Sequence, residues 1–70
     1  MPHVLNFREA RIELDGTCVV VREYQVGARC HCQVESCDPG ATIARAVAAT
    51  AEEARKTAVS MASARLTRYP

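Results

Sequence analysis

Aromatic residues are nearly missing from this 70-residue chain: one Phe, two Tyr and no Trp. The rings that dominate most cores are therefore unavailable. Much of the apolar content is Ala and Val, which bury little area per residue. A chain of this length buries only roughly 60% of its unfolded surface. A marginal core, helped by a partner chain, is the expectation. Long apolar runs are missing as well. Nothing approaches the ~18 residues of a membrane span. The opening Met1-Pro2-His3-Val4-Leu5 lacks the basic stretch and apolar run of a signal peptide. A cytoplasmic location, with the four Cys as reduced thiols, is expected from this. A dominant charge is lacking too, since the net charge is +1. That removes both the basic signature of a nucleic-acid binder and the acidic signature of a DNA mimic. Lysine is almost absent, with one Lys beside eight Arg.

What is present first is a turn. Asp15-Gly16 supplies the two positive-φ positions of a tight hairpin. Closing the loop there sets Leu14 opposite Thr17, Ile12 opposite Val19 and Ala10 opposite Val21. Arg8 then meets Glu23 and Glu9 meets Arg22, two cross-strand pairs of opposite charge worth ~0.2–1 kcal/mol each. A slip of one residue would mix the faces and lose both pairs. Residues 4–14 and 17–25 are thus two strands, with a bulge or break near Arg8-Glu9, where the apolar parity shifts. Residues 28–36 alternate cleanly and form a third. A two- or four-residue loop around Val26-Gly27 pairs Val21 with Cys32 and Val19 with Val34. One sheet face carries Ala10, Ile12, Leu14, Val19, Val21, Cys30, Cys32 and Val34, the core side. The other carries Phe7, Glu9, Arg11, Glu13, Cys18, Val20, Arg22, Tyr24, Arg29, His31, Gln33 and Glu35.

A helix is expected over residues 39–67. Asp38 can cap it and Pro39 suits its first position. Ile43, Val47, Ala51, Ala54, Ala58, Met61 and Ala62 fall on one stripe at 100° per residue. Thr50 and Glu53 also form a capping box, which permits a second layout: residues 42–49 extended and the helix starting at 51. One continuous helix is preferred, because the stripe keeps its phase through Thr50 and residues 42–49 show no alternation. Such a helix is about 43 Å long, against about 30 Å for a nine-residue strand, so its last turns would overhang the sheet. The fold class is then α+β: a three-stranded antiparallel meander (residues 4–36) under one long C-terminal helix, two layers, one domain over 1–70.

The residues able to carry chemistry are the Cys, the carboxylates and the polar face. Cys30-His31-Cys32, with Cys37 and either Cys18 or His3, has the residue types of a zinc site. No C-x-x-C pair is present, and Cys30 and Cys32 face the core while His31 and Cys18 face away. Metal-free core thiols are the expectation, and no cofactor is implied. Cys37 lies beside the expected helix start, where a thiol can be reactive. The single Gly of Asp38-Pro39-Gly40-Ala41 cannot cradle a phosphate. His31 has no aligned nucleophile, so no enzyme is expected. The polar face is the better candidate, with Phe7 opposite Tyr24 and Arg22, Arg29 and His31 nearby. The other is the helix end with Met61, Arg65, Leu66 and Tyr69. Aromatic, Met and Arg side chains are the usual anchors of protein interfaces. Direct nucleic-acid binding is disfavoured by Glu9, Glu13 and Glu35 on the same face.

Two resemblances bear on function. Asp38-Pro39-Gly40-Ala41 followed by Ala44-Arg45-Ala46, after a hairpin-rich half, resembles the helix start of small phage anti-CRISPR proteins that act on type I CRISPR effector complexes. That resemblance implies a non-enzymatic inhibitor docking on a subunit of a host complex in the bacterial cytoplasm. It would block DNA binding or nuclease recruitment, and a homodimer is compatible with it. Thr50-Ala51-Glu52-Glu53-Ala54 is similar to the helix opening of HicB-type antitoxins, which implies a small antitoxin or a nucleic-acid-binding module of the same architecture.

Overall fold

A computed structural model describes residues 4–37 and 41–68. Four strands and one helix follow in order: β1 (Val4–Leu14), β2 (Thr17–Val26), β3 (Arg29–Ser36), β4 (Thr42–Ala48) and α1 (Ala51–Arg68). The sheet is antiparallel throughout, with spatial order β1-β2-β3-β4. The α+β class therefore stands, with four strands in place of three. Residues 42–48 are a strand and not the first turns of a helix.

The first hairpin has the register its turn and charges demand. Leu14 pairs with Thr17, Ile12 with Val19, Glu9 with Arg22 and Arg8 with Glu23. Asp15 and Gly16 both take positive φ, 51° and 80°, the pattern of a type I′ turn. The irregularity in β1 lies between Leu5 and Arg8, just before the expected place. Asn6 adopts φ 54° there and donates from Nδ2 to Gln25 Oε1 at 3.0 Å. Between these pairs Asn6 and Phe7 of β1 stand against the single residue Tyr24 of β2, the two-against-one arrangement of a bulge.

The second hairpin turns on two residues one position further along the chain than Val26-Gly27, which offsets the strand register by two. Val26 pairs with Arg29 across Gly27-Ala28, and Gly27 alone is at positive φ, 57°, as a type II′ turn requires. Val21 consequently meets Val34, and Val19 meets Ser36. An offset of two preserves the faces. Ser36 donates from its N–H to the Ala41 carbonyl at 2.9 Å and closes the turn into β4.

The core lies between the sheet and α1. Val19, Val21, Cys32, Val34 and Ala44 are buried against Ala54, Ala58 and Ala62. These three alanines sit four residues apart on one helix face, and their small side chains bring the helix close to the sheet. Ile12, Leu14, Ile43, Val59 and Leu66 pack around the rim. Val47, expected in the core, points to the other face and is 49% exposed. Thr50 ends the strand segment and opens the helix: its Oγ1 accepts from the Glu53 N–H at 3.2 Å, a side-chain N-cap. Glu52 and Glu53 place negative charge in the first turn, which favours the helix dipole.

Because α1 begins at Ala51, its C-terminal half lies over the sheet and does not overhang. Ser63 Oγ donates to Asp15 Oδ2 at 2.5 Å, tying the helix to the first hairpin turn. Arg65 donates from Nη1 to the Ile43 carbonyl. Ile43 is the extra residue where β4 opposes β3 out of step, between Val34↔Ala44 and Glu35↔Thr42. A bulge leaves one residue out of the ladder, and Arg65 takes up its carbonyl.

The thiols depart from expectation. Cys18 and Cys37 form a disulfide, with Cα atoms 5.6 Å apart. The Cys37 N–H also donates to the Cys18 carbonyl at 3.2 Å. The two residues are thus cross-strand neighbours at the end of the β2–β3 ladder. Cys30 and Cys32 remain free, half-buried and buried. Burial pushes the Cys32 thiol up to about 11; nearby Glu23 adds to the shift and Arg55 opposes it.

The open sheet face as candidate functional site

The face turned away from α1 is built by alternation in all four strands. Glu9, Arg11 and Glu13 come from β1, and Cys18, Val20, Arg22 and Tyr24 from β2. Arg29, His31, Gln33 and Glu35 come from β3, Arg45 and Val47 from β4. Sequence reasoning placed the β1 to β3 members correctly. It missed Arg45 and Val47, having put both on a helix. The signal for them was the β-branched content of residues 42–47, with Thr42, Ile43 and Val47.

At the centre lies an ion-pair chain. Arg22 donates from Nε to Glu9 at 2.9 Å and from Nη1 to Glu35 at 2.5 Å. Those hydrogen bonds, Glu35 first and Glu9 second, hold the Arg22 guanidinium charged by raising its pKa. Gln33 Nε2 donates to Glu35 and, at 3.2 Å, to Thr42 Oγ1. Beneath this network Val20 is 7% exposed although it points to the solvent side. Arg22 is therefore mainly a brace across β1, β2 and β3, with its Nε and Nη1 already engaged.

Beside the network stands an aromatic pair. Tyr24 and His31 are directly opposite on β2 and β3, their rings stacked with centroids 5.0 Å apart and planes 4° apart. Val47 neighbours His31 across the β3–β4 ladder. Arg29 and Arg45 are exposed near the pair, and Arg11 is exposed on the far side of Arg22. Among the described residues none of these three makes an ion pair.

The second candidate surface is not assembled as expected. Met61 is 36% exposed, Leu66 packs on the core rim, and Arg65 is bonded to the Ile43 carbonyl. Tyr69 lies outside the described residues, as do His3 and the segment 38–40. Phe7 is 57% exposed at the β1 irregularity. Among the described residues no three His, Cys, Asp or Glu side chains gather as metal ligands. No described helix is long and apolar enough to cross a membrane. Comparison with models of known families, with curated proteins and with solved structures finds no match to this chain.

Proposed function

We propose that this chain is a non-catalytic docking protein whose open sheet face binds a protein partner. The observation that supports this most is the Tyr24–His31 stack flanked by exposed Arg29, Arg45 and Val47. A stacked pair has little rotamer freedom to lose on binding, and Arg beside aromatic rings suits carboxylate-bearing protein surfaces. The partner class is the one implied by the anti-CRISPR resemblance, a subunit of a type I CRISPR effector complex in the cytoplasm of a bacterial host, although Ala44-Arg45-Ala46, part of that resemblance to a helix start, lies in β4 and not in a helix. The consequence would be blocked DNA binding or nuclease recruitment. Substituting Tyr24, Arg29 and Arg45 together by Ala tests it. The expected result is a folded variant that no longer co-elutes with effector subunits or inhibits them. A folded variant with full inhibition overturns the site.

A second reading, a HicB-like antitoxin or nucleic-acid-binding module, draws on Thr50, which caps the helix at the point that resemblance requires. Affinity purification separates the two, since a small toxin or RNA in place of effector subunits supports the second.

A further inference from the structure

We infer that β1 is a self-complementary edge and that two copies of this chain associate by antiparallel β1–β1 pairing about a two-fold axis at Ile12. This stands on the strand itself and is independent of the docking role of the open face.

Among the described residues β1 is hydrogen-bonded on one side only, to β2. Because the turn has two residues, Leu14↔Thr17 is a hydrogen-bonded pair, and so are Ile12↔Val19 and Ala10↔Val21. The Cys18 carbonyl confirms this parity, since it points away from β1 and accepts from Cys37 on the other side. The backbone groups of Glu9, Arg11 and Glu13 therefore face the free edge. Unpaired edges of this kind are templates for another strand, and proteins that avoid association usually blunt them with charged side chains, bulges, proline or short length; the one irregularity of β1 lies between Leu5 and Arg8, outside residues 9–14. β1 has 11 residues, no Pro, and charges alternating in sign at 9, 11 and 13.

A two-fold pairing must set residues of equal parity opposite each other, which leaves few registers. Centred on Ile12, Arg11 of each copy meets Glu13 of the other in hydrogen-bonded pairs. On the helix side Ile12 meets Ile12, and Ala10 meets Leu14. Over residues 10–14 every pair is then opposite in charge or apolar on both sides, and Glu9 comes opposite Asp15 only beyond the strand, in the turn. Centred on Arg11, Arg faces Arg and Glu9 faces Glu13. Centred on Glu13, Glu faces Glu. Centred on Ala10, Arg8 would face Ile12, and Glu9 would be drawn from Arg22, which it already binds at 2.9 Å. Among the described residues Arg11 and Glu13 have no ion-pair partner within the chain. Ile12 also floors an open groove of about 450 Å³ with Val59 and the helix residues Arg55, Lys56 and Ser60, so α1 leaves this strip uncovered. The other edge, β4, carries one charge, Arg45, so a two-fold pairing there forms no cross-strand pair of opposite charge.

Sedimentation equilibrium of the full chain tests this with Arg11→Glu and Glu13→Arg. Wild type is expected to be a dimer. Each single variant converts two attractive pairs into two repulsive ones and raises the dissociation constant about tenfold or more. Mixing the two single variants restores dimers, because each repulsive set is complementary to the other. The double variant R11E/E13R also restores them. Circular dichroism confirms that each chain is folded; if one is not, Arg11→Gln and Glu13→Gln replace it, and each must weaken the dimer. Wild type that stays monomeric at millimolar concentration overturns the inference, as do single variants without effect. A double variant that fails to recover overturns the Ile12-centred register, because an Ala10-centred pairing would then bring Glu9 against the new carboxylate.

Discussion

The Cys18–Cys37 bond is the single residue-scale feature with the largest energetic consequence. It closes a sequence separation of 19 residues, and a loop of that size restricts the unfolded chain by about 3 kcal/mol. Replacing both Cys by Ser is expected to lower unfolding stability by about 2–4 kcal/mol, read from urea midpoints without reductant. Thiol titration of the denatured wild type should give two free thiols before reduction and four after. Cys32 provides a pH dependence. Its thiol is held neutral by burial, with a pKa of about 11 against 9.0 when free. The unfolded chain therefore releases this proton first as pH rises. The contribution is fully present below pH 9 and is lost between pH 9 and 11, by an amount on the order of 1–3 kcal/mol. Cys32→Val should flatten that part of the stability curve. An unchanged difference between wild type and variant across pH 9–11 would show that Cys32 is not buried.

At the scale of elements, β1 and β2 were legible because an Asp-Gly turn and two charge pairs constrain the same register. The opposite faces of β3 were legible from its alternation. The disulfide was not, and the reason is a two-residue offset. With Val19 set against Val34, Cys18 falls opposite Glu35; with Val19 against Ser36, it falls opposite Cys37. A choice of turn thus hid a covalent bond. β4 was missed for another reason. Its core-facing residues are Ala44, Ala46 and Ala48, and alanine suits a helix stripe as well as a tight sheet–helix contact. Two signals competed, the phase of the alanines and the Thr50–Glu53 capping box, and the cap was the better guide. Thr50→Ala removes the oxygen that receives the Glu53 N–H. It is expected to cost about 0.5–2 kcal/mol, seen as a lower thermal midpoint, whereas Thr50→Ser should be close to neutral. If Thr50 lay inside a continuous helix, Ala would stabilise it instead.

For the whole molecule, the decisive asymmetry is that one helix covers only part of a four-stranded sheet. α1 packs chiefly on β3 and β4, and the residues of β1 are exposed or at most half-buried. The core therefore consists of few and small side chains, with Val19, Val34 and Cys32 the largest fully buried. Stability of small domains is a narrow difference between large terms, so truncation at the covered end should be felt strongly. Val34→Ala removes two methyl groups from a site with no exposure and is expected to cost about 1–3 kcal/mol. Val47→Ala is the same chemical change on the open face, at 49% exposure, and should cost no more than about 0.5 kcal/mol. Its effect should fall instead on partner binding, because Val47 stands beside His31. Had residues 42–48 continued the helix, Val47 would share the buried stripe and the two substitutions would cost alike. Equal losses in the denaturation midpoint would therefore return Val47 to the core and remove it from the docking face.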